Sequence, residues 1–168
     1  LKTLYNLVGF QTNLKWSFQK ELIHSIPGLE NANIVRYGVM HRNTFINSPK
    51  ILTNKLNTKK RENLFFAGQI TGVEGYTESM ASGLIAGINM AKRLKGESML
   101  ELPSECILGA LLNYITDENH KQLQPVNSNW ALINNIELPK KIRKDKKAKA
   151  EILANRSLEA LNGVLNTL

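Results

Sequence analysis

The stretch LFFAGQITGVEGYTESMASGLIAGIN, residues 64–89, decides the predicted fold. Its apolar start, residues 64–67, predicts a short buried strand. A glycine-containing segment at residues 68–75, called the glycine loop from here on, follows this strand, and a helix is predicted from about Tyr76. The order of strand, glycine loop and helix is typical of α/β proteins that bring a helix N-terminus to a phosphate or an electron-rich ring.

Two interpretations of the glycine loop remain open at this point. Glycine permits positive φ and close backbone approach, and the unpaired N–H groups and dipole of the following helix suit a pyrophosphate or a flavin ring. The alternative is a tight strand–helix connection in a domain without a ligand. The G-x-G-x-x-G fingerprint of dinucleotide-binding folds is absent from the chain. Gly83 and Gly87, four residues apart on one helical face, would let that face approach another backbone closely.

Composition indicates a globular protein. The chain has 168 residues, 42% hydrophobic and 21% charged, which is enough for one ordinary core or at most two small domains. A single cysteine, Cys106, excludes an internal disulfide framework and suggests a reducing compartment, so we expect a cytoplasmic protein. Cys106 precedes an apolar helical pattern and is expected to be a buried hydrophobe. No apolar run approaches the roughly 20 residues that cross a bilayer.

The net charge of +8 is concentrated in one segment. Residues 140–149 contain seven basic residues and one acid, Asp145, and this segment alone carries six of the eight net positive charges. Such a segment predicts contacts with nucleic-acid phosphates, and a solvated helix face is the alternative. The predicted nucleic-acid contacts are Lys140, Lys141, Arg143, Lys144, Lys146, Lys147 and Lys149.

The rest of the chain predicts alternating strands and helices. Strands are expected over residues 4–10, 33–40 (with a break at Gly38) and 51–57. The first helix, capped by Asn13, is expected to end at Pro27-Gly28, with an apolar face formed by Leu14, Phe18, Leu22 and Ile26.

Later helices are predicted over residues 76–95, from Pro103 to about Thr116, and from Lys140 to about Leu165. Residues 118–138 are expected to be irregular. The first of these helices should end at Gly96, and its expected apolar face contains Met80, Leu84, Ile88 and Ala91.

Polar residues around the loop suggest further candidates. Glu74 and Glu78 are expected to be surface carboxylates stabilised by a helix dipole, and Thr71 with Glu74 fits a capping box. The cluster at residues 41–44 could donate hydrogen bonds to a cofactor carbonyl or a phosphate, or could be a turn held by local bonds. No Cys/His spacing fits a metal site.

Two long motifs resemble a known family. RYGVMHRNTFINSP, residues 36–49, and NLFFAGQITGVEGYTESMASGLIAGINMAKRL, residues 63–94, are similar to the folate- and FAD-dependent tRNA uracil-5-methyltransferases (the TrmFO family). Sequences before and after these motifs, including QPVNSNWALI and KKIRKDKKAKAEILANRSLEAL, look like the same family. The second motif is shared more loosely with the sister GidA/MnmG family, which modifies the wobble uridine of tRNA.

The resemblance implies an α/β fold: part of a glutathione-reductase-like (Rossmann-type) FAD domain, the end of an inserted α+β domain and a helical C-terminal region. The corresponding ranges are 33–98, 1–32 and 99–168. The implied activity is methylation of uracil C5 in tRNA, with FAD as cofactor and methylenetetrahydrofolate and NAD(P)H as co-substrates. The implied cofactor-binding residues are His41, Arg42, Asn43, Gly68, Gln69, Ile70, Thr71, Gly72, Val73, Glu74 and Gly75.

The departures from the family pattern imply an incomplete site. The family's N-terminal dinucleotide fingerprint has no counterpart here, and its catalytic cysteines would fall before Leu1, so no catalytic residue is assigned. We therefore expect a C-terminal portion that needs the N-terminal part of the same enzyme and is inactive alone. The alternatives are the same chemistry on ribosomal RNA, the wobble-uridine modification, and a stand-alone RNA-binding module.

Overall fold

The computed structural model describes residues 4–10, 12–40, 43–133, 136, 138–139, 142 and 144–165. The chain divides into two compact units, Leu1–Arg42 and Asn43–Leu168, which are described separately. The domain boundaries predicted after residues 32 and 98 remain predictions.

Helix α1, Trp16–His24, organises the first unit. It begins after Lys15 and not after the predicted cap, Asn13, and it ends before Pro27-Gly28 as predicted. The predicted apolar face is not the buried one. Leu14, Phe18 and Leu22 are 44%, 54% and 42% exposed, whereas Gln19 and Ile23 are buried.

In this unit the Gln19 side chain makes the backbone hydrogen bonds that a neighbouring strand would make in a sheet. Its Nε2 donates to the Leu14 carbonyl (2.8 Å) and the Gly38 carbonyl (2.9 Å), and its Oε1 accepts from the Gly38 N–H (2.9 Å). A Cβ at Gly38 would lie 2.6 Å from the Phe10 carbonyl oxygen. The strands predicted over 4–10 and 33–40 are therefore wrong, because a side chain and not a neighbouring strand satisfies Gly38.

The second unit begins with turns. Helix α2, Ser48–Ile51, has a proline in its first turn. The strand predicted over 51–57 is wrong, since isolated bridges join Leu52 to Thr58 and Asn57 to Phe65. Leu52 and Leu56 are nevertheless fully buried, so the apolar pattern reported burial and not strand geometry.

The predicted buried strand at residues 64–67 is also not formed. Phe65 makes a single bridge, Leu64 is 40% exposed, and residues 65–67 are half-buried. A strand needs at least one neighbouring strand that satisfies a run of its backbone groups, and a single bridge at Phe65 does not supply this. The described residues contain helices and isolated bridges, so the predicted sheet is not seen in this part of the chain.

Helix α3, Tyr76–Leu94, confirms the helix predicted after the glycine loop. Gly96 follows it with φ +73° and donates to the Arg93 carbonyl, as a C-terminal glycine should. Its buried face is Ser82, Ile85, Ala86 and Asn89. The predicted apolar face is wrong at Met80 and Leu84, which are 70% and 66% exposed, and at Ala91, which is also exposed, whereas Ile88 is half-buried.

Helix α4, Ile107–Thr116, is the centre of the core. It begins at Ile107 and not in the predicted first turn at Pro103, after Cys106, which is buried as predicted. Helix α5, Lys146–Leu165, confirms the predicted final helix, although part of its predicted start lies outside the described residues. Ser157 of α5 accepts the Ile107 N–H at 2.9 Å and so caps α4. The described residues of 118–138 belong to no helix or strand, as predicted; they are residues 118–133, 136 and 138.

Candidate cofactor site at the glycine loop

The glycine loop begins with a 3₁₀ helix, Gly68–Thr71. Gly68 and Gly72 have φ of +75° and +94°, a conformation that side chains rarely adopt. The Thr71 hydroxyl donates to the Gly68 carbonyl (2.7 Å), and the Gly68 N–H donates to Ser82 Oγ (2.9 Å). The predicted capping box of Thr71 and Glu74 is therefore wrong, because Gly75 is the N-cap of α3 and the Thr71 hydroxyl turns back to Gly68.

The predicted contact residues of the loop differ in exposure. Thr71, Gly72 and Val73 are buried, whereas Gln69, Ile70 and Glu74 are exposed. A Cβ at Gly72 would lie 2.9 Å from Leu123 Cδ2, so packing within the chain already accounts for this glycine. Any side-chain contact with a ligand at this loop falls to the exposed residues.

The start of α3 holds its own carboxylate. Glu78 Oε1 accepts hydrogen bonds from the Ser128 hydroxyl and from the Ser128 N–H (3.0 Å for the N–H). Hydrogen bonds from the Ser128 hydroxyl and from Glu78's own backbone N–H hold the pKa of Glu78 below its ordinary value, against partial burial. Glu78 is thus a first-turn carboxylate, as predicted, and Glu74 lies exposed just before the helix.

Two segments hold the loop through contacts that the sequence did not predict. The Ile46 N–H donates to the Ile70 carbonyl (2.9 Å), and the buried Ser48 donates to the Thr71 carbonyl (2.8 Å). On another side, Val126 forms a parallel bridge with Val73. These contacts carry no local sequence signal, since each donor comes from at least 23 residues away.

The exposed face of α3 is apolar over its first half. Tyr76, Met80 and Leu84 are 83%, 70% and 66% exposed, four residues apart. A Cβ built at Gly83 or Gly87 meets no atom within 4 Å. The close approach that these two glycines permit is therefore unused within the described residues.

Only some of the other predicted contact residues belong to the described part of the chain. His41 and Arg42 lie outside the described residues, and Asn43 is exposed at the start of the second unit. Lys140, Lys141 and Arg143 also lie outside. The described basic residues of the segment are exposed, and no ion pair involves them in the described part of the chain; they are Lys144, Lys146, Lys147 and Lys149.

A cleft of about 870 Å³ lies beside α4, away from the glycine loop residues. Asn54, Asn113 and His120 are among its lining residues, and Lys59 pairs there with Glu118. Within the described ranges, no group of carboxylate, histidine or cysteine side chains could hold a metal ion. In the same ranges no helix is both long and apolar enough to cross a membrane.

A family model decides where this chain belongs. The model described as "Glucose inhibited division protein A" (GIDA) matches residues 1–98, more than half of the chain. The chain belongs to this family. The match includes the whole glycine loop and helix α3.

Individual relatives confirm the predicted resemblance. Proteins named methylenetetrahydrofolate–tRNA-(uracil-5-)-methyltransferase TrmFO are 58% identical in Bacillus cytotoxicus, 56% in Bacillus subtilis and 55% in Enterococcus faecalis. These alignments cover 98–99% of this chain and 37–38% of each relative. The chain therefore spans less than two fifths of the relatives that it matches.

A solved structure gives the same family. Aquifex aeolicus GidA, in the form II crystal, matches with a TM-score of 0.56 and 32% identity, over 73% of this chain and 21% of that one. This likeness and the family match fit the predicted Rossmann-type flavoprotein family. The identity to the methyltransferases is higher by more than 20 percentage points.

Proposed function

We propose that this chain is part of a flavin-dependent methyltransferase that methylates uracil C5 in tRNA, and that the glycine loop is one wall of its FAD site. The observation that carries the proposal is the 55–59% identity, over nearly the whole chain, to proteins named for this reaction. The reaction moves the methylene carbon of methylenetetrahydrofolate to C5, and C5 loses its proton. NAD(P)H supplies the hydride, or two electrons, that converts methylene to methyl, and tetrahydrofolate and NAD(P)⁺ are released.

The end of the glycine loop and the first turn of α3 suit a flavin ring better than a pyrophosphate. Tyr76 and Thr77 are exposed at the start of α3, where backbone N–H groups have no partner within the helix. These donors suit a ring carbonyl. The carboxylates of Glu74 and Glu78 lie at the same helix start, and like charges there disfavour a pyrophosphate. When bound, FAD supplies the redox chemistry, and the loop's part is to bind and orient it.

The exposed face of α3 supports the proposal that other parts of the enzyme complete the site. An apolar face with two unused glycines is suited to close packing against another backbone. The relatives are longer than the chain by more than half of their own length, and that remainder is the proposed occupant of the face. His41, Arg42 and Asn43 are proposed to contact the flavin or the substrate, and the basic segment is proposed to contact tRNA phosphates.

The proposal is tested with the full-length protein that carries this chain. Purified protein with bound FAD is supplied with methylenetetrahydrofolate, NADPH and an unmodified tRNA transcript, and 5-methyluridine is measured by mass spectrometry. We expect 5-methyluridine in tRNA and none in a ribosomal RNA fragment offered in parallel. Modification of the ribosomal fragment alone, or of the wobble uridine alone, would contradict the proposal in favour of the corresponding alternative.

A further inference from the structure

The segment Gln124 to Asn129 lies outside the family match, which covers residues 1–98. It nevertheless forms hydrogen bonds with the glycine loop and with the first turn of α3. The Val126 N–H donates to the Gly72 carbonyl at 3.0 Å, and the Glu74 N–H donates to the Val126 carbonyl at 3.1 Å. Together they form a short parallel pairing around Val73. Since Gly72 and Glu74 lie in the loop and Val126 does not, this pairing fixes the loop from outside.

Leu123, just before this segment, packs against the loop at Gly72. It is 4% exposed, and its Cδ2 lies where a Cβ at Gly72 would come within 2.9 Å. Glycine adopts the positive φ of Gly72 without strain, and the Leu123 packing and the Val126 pairing both contact the loop at this residue.

Ser128 extends the contact to the first turn of α3. Its N–H and its hydroxyl both donate to the same oxygen of Glu78, 50 residues away in sequence. The Glu78 carboxyl lies against Gly75, where any Cβ would come within 1.8 Å of Oε2. The position of the negative charge at the helix start is thus set by Ser128 and not by α3 alone.

We propose that residues 124–129 hold the cofactor-binding loop of this chain in place: Val126 fixes the glycine loop, and Ser128 fixes the Glu78 carboxylate. Ser128 and Glu78 are positioning residues: they act through the loop and through the charge at the start of α3. This inference rests on the proposed function, because the ligand that they position is the flavin.

The test measures FAD bound to the full-length protein that carries this chain. We expect Ser128→Ala to weaken FAD binding by up to about tenfold, because the lost hydrogen bond to the charged Glu78 carboxylate is internal and affects the ligand only through the position of the helix start. We expect Glu78→Gln to raise the midpoint potential of bound FAD, because a nearby negative charge opposes reduction to the anionic flavin. Ser128→Thr, which keeps the hydroxyl, should restore wild-type binding.

The matched control is Glu97→Gln, which removes a carboxylate just beyond the other end of α3, where Glu97 pairs with Lys92. This variant should leave both the affinity and the potential unchanged. If Ser128→Ala binds FAD as tightly as wild type, or if Glu97→Gln moves the potential as much as Glu78→Gln, the inference is overturned. Wild-type protein that binds no FAD would instead overturn the proposed function, and this inference with it.

Discussion

At the scale of single residues, the glycines of the loop are explained by conformation and internal packing. Gly72 combines φ of +94° with a neighbouring Leu123 side chain, whereas Gly96 has φ of +73° and no atom within 4 Å of the place that a Cβ would take. A side chain at Gly96 would meet only the backbone strain of positive φ, whereas a side chain at Gly72 would also meet Leu123. The sequence predicted glycines that free the backbone, but it did not reveal that Leu123 fills the space beside one of them.

We expect Gly72→Ala to lower the free energy of unfolding by about 1–2 kcal/mol from positive φ alone, with a further loss from the contact with Leu123. Gly96→Ala should show only the first effect. Urea denaturation of the chain, followed by circular dichroism, measures both. Equal losses in the two variants would show that Leu123 moves aside without cost, and an undiminished stability of Gly72→Ala would contradict the loop geometry.

Glu78 predicts a dependence of stability on pH. Its pKa in the folded chain is lowered, so its contribution is fully present above the ordinary carboxyl pKa and is lost as the pH falls through the lower, folded value. Wild type should therefore lose more stability than Glu78→Gln in the acid range below that ordinary pKa. Unfolding free energies of the two proteins, measured from neutral pH to the acid range, should converge as the pH falls. Parallel curves would contradict the Ser128 contact.

At the scale of elements, the four longer helices were predictable, whereas the short helix α2 and the strands were not. Helix α3 follows from its start after Gly75, its apolar content and its end at Gly96, all of which are local signals. Strand-like runs such as residues 33–40 and 64–67 report only a preference for apolar surroundings. A strand also needs partner strands, which a local pattern cannot specify. In this chain the Gln19 side chain and isolated bridges take their place.

The buried face of α3 was mispredicted for a related reason. Met80 and Leu84 are as apolar as a core face, yet the chain buries the face with Ser82 and Asn89, whose side chains bond the backbone of neighbouring segments. An amphipathic pattern cannot distinguish a face that packs within the chain from one that packs against something else. Gly83 and Gly87 on the exposed face predicted a close approach to another backbone, but the same face was also expected to form the core of the chain.

Gly83→Ala tests what that exposed face does. In the isolated chain no atom opposes the added methyl group, so alanine should stabilise α3 by about 0.5–1 kcal/mol. In the full-length protein the same substitution should be destabilising, because the face is proposed to lie against another backbone. Thermal unfolding of both proteins gives the comparison. Stabilisation in both would contradict the proposed packing.

The basic segment makes a separate prediction about RNA. Changing its four described lysines to glutamine (Lys144, Lys146, Lys147 and Lys149) should reduce the slope of log affinity for tRNA against log salt by about 3, if each contacts one phosphate. The control changes four exposed lysines elsewhere and keeps the net charge equal; these are Lys15, Lys20, Lys50 and Lys60. Filter binding of full-length protein to tRNA at several salt concentrations measures the slope. Equal slopes in the two variants would contradict a specific role for this segment.

At the scale of the whole molecule, the glycine loop is proposed to be one part of a larger cofactor site. The chain spans 37–38% of the TrmFO relatives, and its glycine loop presents exposed residues on one side while residues 46–48 and 124–129 hold the other. The sequence predicted the loop, the helix after it and the family. The two segments that hold the loop, residues 46–48 and 124–129, were not predictable, because their contacts join residues far apart in the chain.

FAD stoichiometry after gel filtration tests the central claim most directly. This chain and the full-length protein that carries it are each mixed with excess FAD, passed through the column and assayed by flavin absorbance. We expect the full-length protein to retain FAD stoichiometrically, and the isolated chain to retain almost none because it supplies only one side of the site. Stoichiometric FAD on the isolated chain, or none on the full-length protein, would contradict the account.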